Sequence, residues 1–363
     1  MKLLRSMLQK EDKPVRSYEE FWAWFQKNER AFYQVVKNEG NLERDFFDKL
    51  SPKLADLKDG FFFLTGMYDD NTAELVLTAD GTVRNFVFVE ELVDAAPQIG
   101  NWRITAHKPA MPSEDFGINM QGYTFSAETL HFYPNLNPNY PDEIDITIVY
   151  DDFNEENKAA ITNGVYIFLD NYLGELESAT IIDNIVIAAK VEVQEELIPI
   201  AKLQAYLGWR QKEFVEKYEG VRHDTENDNH SMLEAELESG NTLLAVINTD
   251  LLEWDGKASH PWIMTVEIPY DGESNNGMPD DEIYKLLNEV EDEILAKLKD
   301  VDGYLNIGRQ TADSMREIYF ACKDFRKPSK VMHNIQMKYA DQIEISFDLY
   351  KDKYWMSFNR FMN

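Results

Sequence analysis

Apolar residues along this chain switch between helical and strand spacing, and each switch predicts an element. Ser17-Tyr18-Glu19-Glu20 has capping-box spacing, with Ser17 able to accept a free amide and Glu20 to answer it. The helix it opens carries Phe21, Trp24, Phe25, Phe32, Val35 and Val36 on one broad apolar face. Leu42, Phe46, Phe47, Leu50, Leu54 and Leu57 predict a second helix. The run Phe61 to Met67 has strand length, Tyr68-Asp69-Asp70-Asn71 is turn chemistry, and Ala73 to Thr78 returns as the second strand of a hairpin. A short helix through Val89, Leu92 and Val93 stops at Pro97. Trp102 to His107 reads as a strand and Tyr123 to Tyr133 as a further hairpin. Ile144 to Val149 alternates as a half-buried strand does. Asn154 is then expected to cap a helix with Glu155 and Glu156 in its first turn, striped by Ile161, Val165, Phe168, Tyr172 and Leu173. Strand Ile181 to Ala189 comes next. Strand, helix and strand within a group of hairpins predict an α+β domain over 58–218, with 1–57 as its helical lead-in.

Leu197 to Tyr218 is helical in pattern and runs into a polar, aperiodic stretch, 219–235, read as a linker. Residues 236–363 form the second expected domain. Thr242 to Asn248 and Trp262 to Ile268 are strands, and Pro279 sits where a first helical residue belongs, ahead of Asp280, Asp281 and Glu282. That helix buries Ile283, Leu286, Leu287, Val290, Ile294 and Leu298. Tyr304 to Gly308 and Met315 to Ala321 are strands, a weaker helix spans 330–339, and Ile343 to Leu349 alternates strictly. From Trp262 the order is β-α-β-β-α-β, the ferredoxin-like arrangement of an open sheet with helices on one face. The fold class is therefore α+β, two domains with mainly antiparallel sheets.

Charge narrows the choice of partners. The 363 residues carry 36 basic and 66 acidic side chains, a net charge of −30, which opposes binding to nucleic acid or an anionic membrane and suits a basic protein. Residues 1–57 hold 11 basic and 10 acidic side chains, so the acidity belongs to residues 58–363. The single cysteine, Cys322, allows no intramolecular disulfide and reads as a buried apolar residue on a strand. Charges interrupt residues 1–10 too early for a signal-peptide core, and no apolar run approaches the ~20 residues of a membrane helix, so a cytoplasmic protein is expected.

In the C-terminal third, Trp262 to Gly272, then Gly277-Met278-Pro279, then Glu291-Asp292-Glu293 resemble the bacterial family called domain of unknown function 695. Gly308-Arg309-Gln310-Thr311, Arg316 to Phe320 and Tyr354-Trp355 are similar to the same family. The first half resembles the companion region of longer family members, most clearly at Leu169 to Glu175. The resemblance implies no activity, substrate or cofactor. Some relatives are fused to, or resemble, an acidic ferredoxin-like inhibitor of a bacterial ribonuclease, a link that is analogy alone.

Candidate chemistry is sparse. His223, Asp224, Glu226, Asp228 and His230 have metal-ligand side chains but no standard spacing, and an EF-hand reading meets Asn229 and Ala235 where glycine and glutamate belong. A solvated linker is the expectation, and no metal or cofactor is predicted. No nucleophile elbow or phosphate-cradling loop is present. Strand alternation puts Arg316 and Glu317 on opposite faces, Arg316 beside Ile318 and Phe320, where it pairs with an acidic neighbour or binds an anion. Trp262, Tyr270, Thr311, Arg316, Tyr319 and Trp355 are the candidate binding residues. The expected function is a non-enzymatic protein-binding, inhibitor or immunity-type module. The alternative is a hydrolase using Asp69, Asp70, Asp142 and Asp145 in a cleft between the two halves, with or without a divalent metal.

Overall fold

Ser17 caps the first helix as its spacing predicts, accepting the Glu20 amide at 3.2 Å, but Glu20 answers to the amide of Arg16 rather than that of Ser17. This helix, α1 (Tyr18–Lys37), belongs to a computed structural model that describes residues 13–112, 116–192 and 194–362. The chain divides into two compact units at Pro109/Ala110. In the first, α1 is followed by a π-helical turn (Glu43–Phe47) running into α2 (Asp48–Leu57), then β1 (Phe62–Met67), β2 (Ala73–Thr78), α3 (Val83–Asp94) and β3 (Trp102–Ala106). The β1–β2 hairpin is antiparallel as expected, and β3 joins β2 in parallel. The aromatics of α1 build the core with Phe46 and Trp102, Phe25 meeting Trp102 edge to face at 5.2 Å.

The second unit opens with a small hairpin of β4 (Ile118–Met120) and β5 (Tyr123–Phe125). The hairpin expected over 123–133 is therefore displaced. Its second half is β6 (Leu130–Asn135), which pairs with β7 (Asp145–Tyr150) instead. Helix α4 (Lys158–Leu173) starts later than Asn154 suggests. Asn154 accepts the amides of Glu156 and Asn157 in a preceding turn, leaving both glutamates outside the helix. After α5 (Glu175–Thr180), β8 (Asn184–Ala189) lies parallel to β7, and β9 (Ile198–Pro199) and α6 (Leu203–Tyr218) complete a sheet of order β8-β7-β6-β9.

The rest of this unit is a larger sheet. Its elements are β10 (His230–Glu236), β11 (Thr242–Asn248), α7 (Thr249–Glu253), β12 (Trp262–Pro269), α8 (Asp281–Lys297), β13 (Tyr304–Ala312), β14 (Met315–Cys322), α9 (Arg326–Tyr339) and β15 (Ser346–Lys351). The polar stretch 219–235 thus ends in a strand, and Pro279 lies outside α8, whose cap is Asp280 accepting the Glu282 and Ile283 amides. The sheet order is β10-β11-β13-β14-β12-β15, every neighbouring pair antiparallel. One face, through Ile263, Leu305, Ile307, Tyr319 and Ala321, is covered by Leu251, Leu252, Trp355 and Phe358. The other face carries Val266, Ile268, Ile318 and Phe320, all fully buried, and α8 packs there through side chains that reach Arg309 and Arg316. Over the two units together helix is mixed with mainly antiparallel sheet, so the α+β class holds.

Strand β13 changes face along its length. Asn306 pairs with Phe320 and Gly308 with Tyr319, leaving Ile307 as a bulge. Leu305 and Ile307 therefore point to the Trp355 side, whereas Arg309 and Thr311 join Arg316 on the α8 side. Gly308 takes φ +142°, and a Cβ there would sit 2.2 Å from the Val246 carbonyl oxygen.

Candidate functional site

The bulge builds a site that alternation alone does not reveal. Across the sheet, Glu234, Leu244, Thr311, Arg316 and Ile268 are successive partners, and so are Met232, Val246, Arg309, Ile318 and Val266. Partners in one row share a face. Their inner members lie under α8, while Leu244 and Val246 continue the same face toward the β10 border. A groove of about 280 Å³ results, lined by Met232, Leu244, Val246, Arg309, Thr311 and Arg316 from these rows, with Met278, Pro279 and Tyr284.

The polar end of the groove is a three-charge arrangement. Arg316, 2 % exposed, donates from Nε to Thr311 Oγ1 at 3.1 Å and from Nη1 to Asn288 Oδ1 at 2.8 Å. Glu291 is nearly as buried. Its Oε1 accepts from Arg309 Nη1 at 2.8 Å, while Oε2, 3.6 Å from Arg316 Nη1, accepts no hydrogen bond. Burial lowers the Arg316 pKa, and the Glu291 charge works the other way. The Tyr284 ring lies 5.4 Å from the guanidinium carbon.

The six candidate binding residues fall in three places. Thr311 and Arg316 line the groove. Tyr270 is close by on the loop before α8, its hydroxyl donating to the Gly277 carbonyl at 2.9 Å and its pKa pushed up by burial to about 12. Tyr319 and Trp355 belong to the core on the opposite face, where Tyr319 accepts from Arg360 and Trp355 donates to the His260 carbonyl. Trp262, at the far end of β12, packs edge to face on Phe325. Sequence reasoning passed over Arg309 and Glu291 as site residues, although both stood in the phrases that carry the family resemblance.

The acidic candidates are engaged elsewhere. Asp69 and Asp70 lie in the β1–β2 turn of the first unit, with Asp69 accepting the Asn71 and Thr72 amides. Asp142 and Asp145 belong to the second unit, beside a centre the sequence did not suggest. There Asp183 bridges Lys351 at 2.8 Å and Lys353 at 2.7 Å and also accepts the Ile144 amide. Asp142 is held by Lys217, Tyr218 and Tyr354, and Asp145 accepts from Asn184. Burial alone would favour protonating Asp142 and Asp183, yet their donors hold both below the usual carboxylate range. Among the described residues no lysine or tyrosine donates to the Glu143 carboxylate. Burial, followed by the charges of Asp145 and Asp183, raises it to about 7 from 4.5. The folded chain thus binds a proton that the unfolded chain releases, so this group's contribution is present below pH 4.5 and is lost as pH rises through 7. Glu143→Gln is therefore expected to stabilise at pH 8 and to be neutral near pH 4, measured by urea denaturation. A gain of equal size at both values would show that the carboxyl does not titrate in this window.

The ligand-like residues after α6 form a hydrogen-bonded loop. His223 meets Asp228 at 2.8 Å, Asn248 also donates to Asp228, and Asp224 accepts the Glu226 amide. Among the described residues no group of three or more His, Cys, Asp or Glu side chains is placed to hold a metal ion, and no helix is long and apolar enough to cross a membrane.

Residues 235–363 match the family of unknown function DUF695, which agrees with the resemblance read in the C-terminal third. The matched span holds Glu291, Arg309, Thr311 and Arg316 of the groove. No curated protein and no solved structure matches the chain.

Proposed function

We propose that the protein is a non-enzymatic, cytoplasmic binding module of inhibitor or immunity type that meets a basic protein through an acidic sheet edge. The observation that carries this reading is strand β10. It pairs with β11 on one side only and stands at the end of the sheet, offering main-chain groups for strand addition. Along and just beyond it Glu234, Glu236 and Glu238 are exposed, with no basic partner among the described residues. Such an edge repels acidic chains and favours a basic strand, in keeping with the net charge of −30. The strand order and antiparallel pairing of β12, β13, β14 and β15 support reading 236–363 as a ferredoxin-like domain whose sheet is lengthened by β11 and β10. Asp142 and Asp183, taken up by lysine and tyrosine donors, support ion pairing rather than a hydrolytic role.

Affinity capture from the native cell's lysate, compared with Glu234→Lys/Glu236→Lys, tests the reading. A basic protein is expected to stay bound at low salt, to leave at high salt, and to bind the double variant about tenfold more weakly. Capture of a partner that ignores both salt and charge reversal would refute it.

A further inference from the structure

We propose that the groove beside α8 is a binding site for a small carboxylic acid with an apolar body, its carboxylate taken by Arg316 and Arg309 and its body laid against Met232, Leu244, Val246 and Met278. This goes beyond the strand-edge reading and does not depend on it.

Positive charge in the groove is only partly matched. Two guanidiniums share one carboxylate, Glu291, and no other described carboxylate lies within ion-pair distance of either. Arg316 is almost wholly buried, yet its Nη2 makes no hydrogen bond among the described residues. The contact of Arg316 with Glu291, from Nη1 to Oε2, is a loose 3.6 Å. Unlike Glu291 Oε2, Arg316 Nη2 is not shut off from solvent, so an anion in the groove can reach it, and a guanidinium fork matches the planar geometry of a carboxylate. In a chain of net charge −30, this local excess of positive charge stands apart from its surroundings.

The remaining walls define the rest of the ligand. Met232 is 75 % exposed and Leu244 37 %, which leaves apolar surface uncovered at the groove mouth. Methionines adapt to the shape of an apolar guest. A groove of about 280 Å³, open at its mouth, admits a small guest such as a medium-chain or single-ring acid.

The test is titration of the full chain by calorimetry and by amide NMR with hexanoate, phenylacetate, hexanamide, inorganic phosphate and a short peptide ending in leucine. The acids are expected to bind and to move the amides of 232–246 and 309–316, with hexanamide at least about tenfold weaker. Arg309→Gln, at a half-exposed position, is expected to cost about tenfold in acid affinity, and Met232→Glu, on the open mouth, to abolish binding without loss of fold. Acid and amide binding equally, or no acid binding at millimolar concentration, would overturn the proposal. Preference for phosphate would overturn the carboxylate assignment. Binding of the peptide but not the free acids would overturn the small-ligand assignment in favour of a chain terminus.

Discussion

Asp183→Ala is expected to destabilise the second unit by about 3–5 kcal/mol in urea denaturation, the range for removing one partner from a buried ion pair. The substitution strands two cations. Lys353 is 1 % exposed and among the described residues keeps only the Asp142 carbonyl, at 2.6 Å, and the face of Phe214, while Lys351 keeps the Ile181 carbonyl. The Ile144 amide loses its acceptor as well. Asp183→Asn retains the shape and an acceptor for Ile144, so its loss is expected to be smaller, with the charge and one of the two lysine acceptors removed. The deficit also has a pH signature. Burial lowers Lys351 to about 8 from 10.5, against the pull of Asp183. Between those values the unfolded chain binds the extra proton, so stability rises with pH across the window. Without Asp183 the folded pKa drops further, and Lys351 is neutral in both proteins above about pH 8. The deficit of the alanine variant is thus expected to shrink as pH rises through 8. A constant deficit from pH 6 to 10 would show that Lys351 takes no part in it.

Gly308→Ala is expected to cost about 3 kcal/mol or more and to disable the groove. A residue other than glycine at φ +142° carries backbone strain of about 1–3 kcal/mol. Its Cβ would also meet the Val246 carbonyl oxygen at 2.2 Å and the Ile247 Cα at 2.9 Å, both backbone atoms that cannot step aside without parting β11 from β13. Since the bulge sets the face of Arg309 and Thr311, a variant that stays folded is expected to lose carboxylate affinity along with stability. Thermal unfolding read beside hexanoate titration checks both. A stable variant with unchanged binding would mean that the strand tolerates a Cβ at this place.

Local patterns were legible where a single element decides them. The Ser17 cap, the β1–β2 hairpin, the stripe of α4 and the alternation that puts Arg316 with Ile318 and Phe320 all depend on residues a few positions apart. Boundaries slipped where side chains compete for backbone groups: Asn154 closes a turn instead of opening a helix, and Asp280 rather than Pro279 sets the start of α8. Both alternatives were chemically available, and the choice rested on geometry beyond the local phrase.

By itself the sequence determined the α+β class, the β-α-β-β-α-β order after Trp262, the acidic character and the family resemblance of the last third. Hydrophobic period, caps and charge are local or additive properties, and a chain states them without being folded. Tertiary structure decided which candidates meet. It drew Arg309, Arg316 and Glu291 together from two strands and a helix, sent Tyr319 and Trp355 to the opposite face, and joined Asp183 to Lys351 and Lys353 across about 170 residues. Those outcomes turn on one bulged residue and on strand order, which are set by packing over the whole sheet rather than by the residues on either side.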